Sequence, residues 1–442
     1  MGLTRRQFLQ SGAVAAAAIT APHPLLRAMF GATSAEAAPP SDAVMVVIQL
    51  EGGNDGLNTL IPIDNAGSVA QRTLYDTARP TLGVPVANLL ATEIEPDPVK
   101  GTRLALHPSM TSLKTLYGNG HVAVVTGVGY PNQSLSHFRS EDIWFSANPA
   151  APSSTGWFGR YLDSAFTPSD LVSVDVNETL SPIFVCQHCN VLTVRRLADF
   201  VLPDDPLYPD LAAKKAALDA MYAIEADPME TSSVQLEIGT SGDVLLGKID
   251  DYAAVSTNWS SHLDGVGIEL SRRLKQVASI IRYDASGPAS PIGARFFHVR
   301  LGGFDTHTQQ GTVTGAQPTR LQRISDAMKA FYDDMVDLGV AGKVLMMTFS
   351  EFGRRVAENG SSGTAGTDHG AASTLFVVGA PVVGGVYGTL PALNDLDGSG
   401  NLKFNVDFRQ VYATIIDKWL ASPGTHESLL PGAPYTTLGF LA

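Results

Sequence analysis

Four short polar segments of the 442-residue sequence carry side chains that could bind a metal ion. Asn54-Asp55, Asp305-Thr306-His307 and Glu351 each follow an apolar run, and Asp368-His369 precedes another. Carboxylates and imidazoles that converge suit a divalent cation. His ligands favour Zn²⁺ or Mn²⁺ over Ca²⁺ or Mg²⁺, which prefer oxygen ligands. We therefore expect one or more divalent ions held by Asp55, Asp305, His307, Glu351, Asp368 and His369.

Each of these segments also has a structural interpretation. Asp305-Thr306-His307 could form a hydrogen-bonded turn, and Glu351 could form a solvated ion pair with Arg354 or Arg355. The segment Gly52 to Gly56 could be a turn that merely needs positive φ angles. The placement of all four segments beside predicted strands favours a shared site over four separate turns.

A candidate nucleophile lies in the segment from Asn132 to Arg139. Ser136 precedes a predicted helix, whose free N–H groups and positive dipole end attract anions such as phosphate. His137 could act as a base or a metal ligand, and Arg139 could clamp an anion. Ser136 is equally well explained as a simple helix N-cap.

The elements that must position these residues alternate between strands and helices. Nearly continuous apolar runs predict strands buried on both faces, at 44–50, 122–127, 183–185, 296–301, 344–349 and 374–378. Spacing and composition predict helices at 108–117, 136–146, 210–226, 263–283, 319–338 and 408–420, and a loop or insertion around 228–245. This alternation predicts an α/β fold with a mostly parallel sheet sandwiched by helices. Ligands of such sheets bind beyond the carboxyl ends of the strands, where three of the four polar segments lie.

The first residues resemble an export signal. Arg5-Arg6 precedes Phe8-Leu9 and an alanine-rich stretch, and Ala35-Glu36-Ala37 is typical of a signal-peptidase site. We therefore predict a twin-arginine signal peptide at 1–37 and one α/β domain at 38–442, with an insertion around 200–262. The protein would be exported folded by the twin-arginine translocase to the periplasm or beyond. The alanine-rich stretch is too short for a stable membrane anchor, and a chance Arg pair is the alternative.

Composition excludes some partners. The formal net charge is −13, so nucleic acid, whose phosphates attract basic surfaces, is not an expected partner. The two cysteines, Cys186 and Cys189, form a CxxC segment. In an oxidising compartment this pair could be a disulfide or a labile redox pair, and no second pair exists to complete a zinc site.

The chain from residue 38 onward resembles a bacterial family known as domain of unknown function 1501. The segments that carry the resemblance are 50–58, 136–138, 303–307, 350–354 and 366–370. That family resembles a branch of the alkaline phosphatase and sulfatase superfamily, which implies an alkaline-phosphatase-like fold, two neighbouring metals and a Ser, Thr or modified Cys nucleophile. The sulfatase signature, Cys or Ser followed by x-Pro-x-Arg, is absent around Cys189.

The resemblance also implies a division of the ligands between two metals. Asp305, His307 and His369 would hold one ion, and Asp55 and Glu351 would belong to the other. Phe352 stands where the superfamily has a His, so the second site is degenerate, and Arg354 could supply the missing positive charge.

These observations favour an exported, metal-dependent hydrolase of phosphate or sulfate esters. Its substrate would be a small molecule or an envelope polymer, with Ser136 as nucleophile and Arg139 or Arg354 stabilising charge. An inactive relative that binds an anionic envelope component, or assists envelope assembly or secretion, is the alternative. A transferase acting on envelope polymers is a third reading.

Export should depend on the twin-arginine pair. We expect the double substitution of Arg5→Lys with Arg6→Lys to leave the precursor in the cytoplasm, because the translocase reads both guanidinium groups. Cell fractionation and immunoblotting measure this. Normal export of the double variant would refute the assignment.

Overall fold

The structure, a computed structural model, describes residues 42–67, 69–202, 210–222, 233–266, 269–361 and 363–441. The predicted signal peptide, 1–37, lies outside these ranges, as do parts of the predicted insertion around 200–262. None of the helices in the described ranges combines the length and the apolar character that crossing a bilayer requires.

A large central sheet organises the described part of the chain. The strands, in chain order, are β1 (Val44–Leu50), β2 (Leu60–Pro62), β3 (Glu93–Ile94), β4 (Leu104–Leu106), β5 (Val122–Gly129), β6 (Ser173–Asp175), β7 (Val191–Thr193), β8 (Phe296–Leu301), β9 (Val344–Phe349), β10 (Ser373–Val378), β11 (Gly385–Gly388) and β12 (Val406–Asp407). Within the described ranges, nine strands form this sheet in the order β11-β5-β10-β9-β1-β8-β6-β7, and β12 also pairs with β5. A small antiparallel sheet has the order β2-β4-β3.

The antiparallel direction of β10 brings His369 to the edge of the sheet where the other predicted site residues lie. β1 runs parallel to β8 and β9, whereas β10 runs antiparallel to its neighbours β9 and β5. The start of β10 therefore lies at the edge where β1, β5, β8 and β9 end. His369, four residues before β10, can thus meet side chains that follow the other strands.

Helices cover both faces of the sheet. They are α1 (Gln71–Ala78), α2 (Val86–Leu89), α3 (Thr111–Gly118), α4 (His137–Ser146), α5 (Trp157–Ala165), α6 (Leu211–Tyr222), α7 (Ser233–Ala253), α8 (Leu270–Ala285), α9 (Ala316–Asp337), α10 (Phe408–Ile415) and α11 (His426–Leu429). Side chains of α3, α8 and α9 pack in one core layer, and those of α4, α5 and α10 pack in the other. The predicted α/β fold, with a mostly parallel sheet sandwiched by helices, is confirmed.

The sequence of β1 shows why the central strand is continuously apolar. Val46 and Ile48 pack in the layer of α3, α8 and α9, while Met45 and Val47 pack in the layer of α4, α5 and α10. Successive side chains of a strand point to opposite faces, so a strand covered by helices on both sides needs apolar residues at nearly every position.

Two predicted elements are wrong. Residues 183–185 were expected as a strand, but Pro182–Phe184 form a tight helical turn that Ser181 caps by accepting from the Ile183 N–H. The described part of the predicted loop at 228–245 belongs to α7. Glycine lowers helix propensity, yet Gly242 lies so close to Tyr222 of α6 that a Cβ would fall 2.3 Å from its ring. Packing between α6 and α7 thus overrides local propensity.

The turn after β1 requires glycine at residue 52. Its φ is +116°, and a Cβ there would lie 2.4 Å from the Asp305 nitrogen. Gly120 also has a positive φ, +83°, but its Cβ would meet open space. Gly52 therefore lets the loop after β1 contact the loop after β8.

We predict that Gly52→Ala destabilises the protein by about 2 kcal/mol more than Gly120→Ala, because only the former forces backbone atoms apart. Gly120→Ala, the matched control, should show only the strain of a positive φ, about 1–2 kcal/mol. Denaturant unfolding measures both. Equal losses of unfolding free energy would show that the close approach of residue 52 to Asp305 does not require glycine.

Candidate functional site

Five loop segments meet at the carboxyl edge of the sheet. They follow β1, β5, β8 and β9, and the fifth precedes β10. Their converging side chains form what we call the Asp305 cluster, defined as His137, Asp305, His307 and His369. Ligand atoms of three of its members, His137, Asp305 and His369, all lie within 4.8 Å of one another.

Asp305 is the centre of this cluster. Its Oδ1 lies 3.1 Å from Nε2 of His307 and 3.2 Å from Nε2 of His369, and its Oδ2 lies 3.8 Å from Nε2 of His137. The Nε2 atoms of His307 and His369 are 3.0 Å apart. The Asp305 side chain is 47% exposed, so a ligand can reach the cluster from solvent.

Each of the three imidazoles is oriented by an acceptor at its other nitrogen. Nδ1 of His369 lies 2.8 Å from the carbonyl oxygen of Leu135. Nδ1 of His307 lies 3.0 Å from a carboxylate oxygen of Asp368, and Nδ1 of His137 lies 2.7 Å from Oε1 of Glu351.

A carbonyl or carboxylate oxygen only accepts, so in each contact Nδ1 carries the proton. In the neutral form of each ring, the Nε2 lone pair then faces the Asp305 carboxylate. Three imidazole acceptors around a carboxylate repel one another unless a cation or a proton lies between them. This donor set, with a hydrogen-bonded outer shell, fits a divalent metal ion.

Arg354 joins the loops beneath the cluster. Its Nε donates to the carbonyl of Gly53 at 2.7 Å, and its Nη1 donates to that of Thr367 at 2.8 Å. Its Nη2 contacts Asp305 Oδ1 at 2.6 Å and the carbonyls of Phe304, at 3.0 Å, and Gly52. The Arg354 side chain is fully buried. One guanidinium thus connects the loops after β1, β8 and β9 with the loop before β10.

A short backbone pairing places His369 beside Arg354. Arg354 and His369 form an antiparallel bridge, flanked by a hydrogen bond from the Arg355 nitrogen to the Asp368 carbonyl. Gly366 allows the same loop to pass against His307, since a Cβ would fall 2.2 Å from the carbonyl carbon of His307. Together, these contacts fix the imidazoles of His307 and His369 relative to Asp305.

The charges around the cluster shift several pKa values. The hydrogen bond with Glu351 raises the pKa of His137, and burial opposes this only in part. Burial would raise the pKa of Asp305, but the hydrogen bond from Arg354, together with the neighbouring imidazoles of His369 and His307, lowers it by more. The hydrogen bond from His307 lowers the pKa of Asp368. Burial, with the charges of Glu351 and Glu51, raises the pKa of Glu141 to about 7.

The structure separates the six predicted ligands into three groups. Asp305, His307 and His369 come together, and His137 joins them. Glu351 and Asp368 lie behind the cluster, where Glu351 accepts from His137 and Asp368 accepts from His307. Glu351 is completely buried and also accepts from the Gly52 nitrogen at 2.8 Å.

Asp55 does not join the cluster, and its expected metal role needs correction. Its carboxylate pairs with the guanidinium of Arg79, both side chains being fully buried, and accepts from Gln310 at 2.6 Å. It also caps the turn Gly56–Asn58. A carboxylate with these partners stabilises the fold around β1.

The two predicted anion clamps are also placed differently. Arg139 pairs with Asp142 and contacts the carbonyls of Asn148 and Pro149, at the far end of α4. Arg354 lies beside the cluster, but its contacts are to protein acceptors and it is not exposed. Arg354 therefore positions Asp305, and neither guanidinium faces the open side of the cluster.

Ser136 occupies the N-cap position of α4, as predicted, but its side chain makes no capping hydrogen bond. The residue is exposed. Its neighbour Leu135 orients His369 through a carbonyl oxygen, and its other neighbour, His137, is a member of the cluster. A hydroxyl that does not cap the helix is free for another role.

Two contributors escaped the sequence analysis. The carbonyl of Leu135 orients His369, and a backbone acceptor leaves no signal in residue type. The ring of Phe352 packs against His137 and His369, with centroids 4.8 and 4.5 Å away. Its place in Ser350-Glu351-Phe352 marked a departure from the superfamily pattern, but only the structure identifies it as an apolar wall of the cluster.

We predict that Arg354→Lys destabilises the protein by about 3 kcal/mol, because an ammonium cannot replace a buried guanidinium with several fixed acceptors. Arg355→Lys is the matched control, since the adjacent Arg355 has a buried Nε without a partner; its cost should stay below about 0.5 kcal/mol. Denaturant unfolding of both variants measures the difference. Equal stabilities would contradict the role of Arg354.

Part of the chain matches a known protein family, and its fold is similar to solved structures. Residues 290–423 match the family described as "Protein of unknown function (DUF1501)", and this segment contains the loops after β8 and β9 and before β10. No curated protein matches the chain. Solved structures similar to it include a protein of the alkaline phosphatase superfamily from Vibrio parahaemolyticus, with 8% identity, a TM-score of 0.37 and coverage of 88% of this chain and 70% of that one. A sulfatase from Pseudoalteromonas sp. has 9% identity, a TM-score of 0.33 and coverage of 83% and 66%. TM-scores this low support no conclusion about the activity of this chain. The resemblance to the DUF1501 family is confirmed over 290–423.

Proposed function

We propose that this chain is an exported, metal-dependent hydrolase of phosphate or sulfate esters. The observation that carries the proposal is the Asp305 cluster, in which three oriented imidazoles and a carboxylate converge at a solvent-accessible edge of the sheet. The substrate would be a small molecule or an envelope polymer. The twin-arginine translocase would be a partner during export to the periplasm or beyond.

The metal would be held by His137, Asp305, His307 and His369. Three nitrogen donors favour Zn²⁺ or Mn²⁺ over Ca²⁺ or Mg²⁺. A divalent ion there would polarise an ester oxygen and lower the pKa of a hydroxyl group nearby. We propose one ion, because Asp55 is engaged by Arg79 and the second site predicted from the superfamily is therefore degenerate.

The chain's own residues would act around this centre. Ser136 would supply the hydroxyl that attacks the phosphorus or sulfur atom, since its side chain is exposed and does not cap α4. The ester bond to the alcohol would break and the alcohol would leave with the proton; water would then release phosphate or sulfate and restore the serine. The free N–H groups at the start of α4 would stabilise the negative charge of the ester. Leu135, Asp368 and Glu351 would keep each imidazole in the required tautomer.

A binding protein without turnover is the second candidate. Phe352 provides an apolar ring where the superfamily has a metal-binding His, and neither Arg139 nor Arg354 faces the open side of the cluster. On this reading the same cluster would bind an anionic envelope component or assist assembly or secretion. Turnover of esters separates the two candidates.

Metal content tests the donor set. We expect the purified protein to bind about one Zn²⁺ or Mn²⁺ ion, and Asp305→Asn and His369→Ala each to abolish stoichiometric binding. Asp55→Asn is the control: it should retain the metal, yet lower the stability by about 3–5 kcal/mol because Arg79 loses its buried partner. Elemental analysis and isothermal titration measure binding. Metal lost from Asp55→Asn but kept in Asp305→Asn would reverse the assignment.

Ser136 tests the enzyme against the binding protein. We expect Ser136→Ala to lower the hydrolysis of chromogenic phosphate or sulfate esters by about 10³-fold or more, with unchanged metal content. Its effect on stability should be below about 0.5 kcal/mol, because the side chain makes no capping bond. Ser164→Ala, at an exposed position of α5, is the control and should retain turnover. If wild type and Ser136→Ala have equal rates, or neither has any, the nucleophile assignment fails.

A further inference from the structure

A separate cleft opens one helical turn away from the Asp305 cluster. It has a volume of about 270 Å³ and lies between the ends of β1 and β8, the segment 177–182 and the helix α4. His137 and Glu141 are four residues apart on α4, so they share one face of the helix about 6 Å apart along its axis. Glu141 lines the cleft, and His137 belongs to the cluster.

A buried histidine at this cleft has an unused hydrogen-bonding atom. His298, on β8, is 1% exposed and lines the cleft. Its Nδ1 lies 3.2 Å from Oδ1 of Asp175, whereas its Nε2 has no hydrogen-bond partner. Arg273 donates to Oδ1 of Asn177, which turns the Asn177 amide NH₂ toward Asp175. The same Asn177 amide group also lies 3.0 Å from Nδ1 of His298, so Nδ1 is engaged by two partners and Nε2 is the hydrogen-bonding atom left for a ligand.

The charges of the cleft disfavour an anionic occupant. Arg300 is paired with Glu178 at 3.2 Å, and Asp142 is paired with Arg139. Within the described ranges, no salt bridge neutralises the other two acidic residues of the cleft, Glu51 and Glu141. Because the pKa of Glu141 is raised to about 7, the repulsion of an anion depends mainly on Glu51. A phosphate or sulfate group would be repelled by the Glu51 carboxylate, while neutral hydroxyl groups could donate hydrogen bonds to the carboxyl oxygens and form one with Nε2 of His298.

An exposed aromatic ring stands at the rim. Phe138 lines the cleft, directly follows His137 and is 88% exposed. An exposed phenyl ring beside several fixed hydrogen-bond acceptors suits a ligand with one apolar face and a polar edge, which is the character of a sugar ring. Neither an alkyl chain nor a bare anion would use both features.

We propose that this cleft binds the alcohol portion of the substrate, a neutral polyhydroxylated ring. One of its hydroxyls, which can donate or accept, forms a hydrogen bond with Nε2 of His298, and Phe138 packs against its face. The inference rests on the proposed hydrolase: an ester group at the Asp305 cluster would extend its alcohol part along α4 into the cleft. His298 and Phe138 are thus specificity-determining residues that bind the ring and take no part in bond cleavage.

Nuclear magnetic resonance of histidines labelled at Cε1 tests the proposal. The probes are methyl α-D-glucopyranoside, methyl α-D-galactopyranoside and methyl α-D-mannopyranoside, with inorganic phosphate as the comparison. At least one glycoside should shift the His298 signal saturably, whereas phosphate should leave it unchanged. His262 is the internal reference, because it pairs with Asp337 at the end of α9, on the opposite edge of the sheet. Its signal should stay constant.

Phe138→Ala should weaken glycoside binding at least tenfold, and Val336→Ala, a second exposed apolar position, should leave it unchanged. The absence of any glycoside-dependent shift of His298, or equal affinity in Phe138→Ala and wild type, would overturn the inference. So would a tighter, saturable response to phosphate.

Asp305→Asn separates this inference from the proposed function. It should retain glycoside binding, since Asp305 does not line the cleft. Glycoside binding without ester hydrolysis in the wild type would support the cleft and refute the hydrolase. Hydrolysis in a wild type whose His298 ignores all three glycosides would refute the cleft alone.

Discussion

The buried guanidinium of Arg354 is the interaction on which the geometry of the site depends. Loops from distant parts of the sequence would otherwise turn carbonyl oxygens toward one another beneath the cluster. Arg354 satisfies those of Gly52, Gly53, Phe304 and Thr367 and fixes one carboxylate oxygen of Asp305. Because carbonyl oxygens buried without a donor are costly, the site forms only as the whole set of loops comes together.

A second layer of acceptors lets the cluster be both exposed and ordered. The carbonyl of Leu135 and the carboxylates of Asp368 and Glu351 hold the three imidazoles from behind. The atoms that face solvent thus need no further protein partner, which leaves them free for a ligand. The reversed direction of β10 completes the arrangement, since a parallel strand would carry His369 to the opposite edge of the sheet.

The fold and half of the candidate site could be predicted because their signals are local. Apolar runs marked β1, β8 and β9, and the polar residues after β8, with His369 before β10, do meet. The positions of Asp55 and Arg139 could not be predicted this way. A carboxylate in a glycine-rich turn, such as that of Asp55, has the same local pattern whether it faces a metal or Arg79. His298 was hidden within an apolar strand, where one imidazole looks like part of the core.

The most direct test of the central claim is anomalous diffraction from crystals grown with Zn²⁺, recorded at the zinc absorption edge. The account predicts one strong peak in contact with Asp305, His137, His307 and His369, with the Nδ1 contacts to Leu135, Asp368 and Glu351 intact. A peak beside Asp55, or no peak at the Asp305 cluster at saturating zinc, would contradict it.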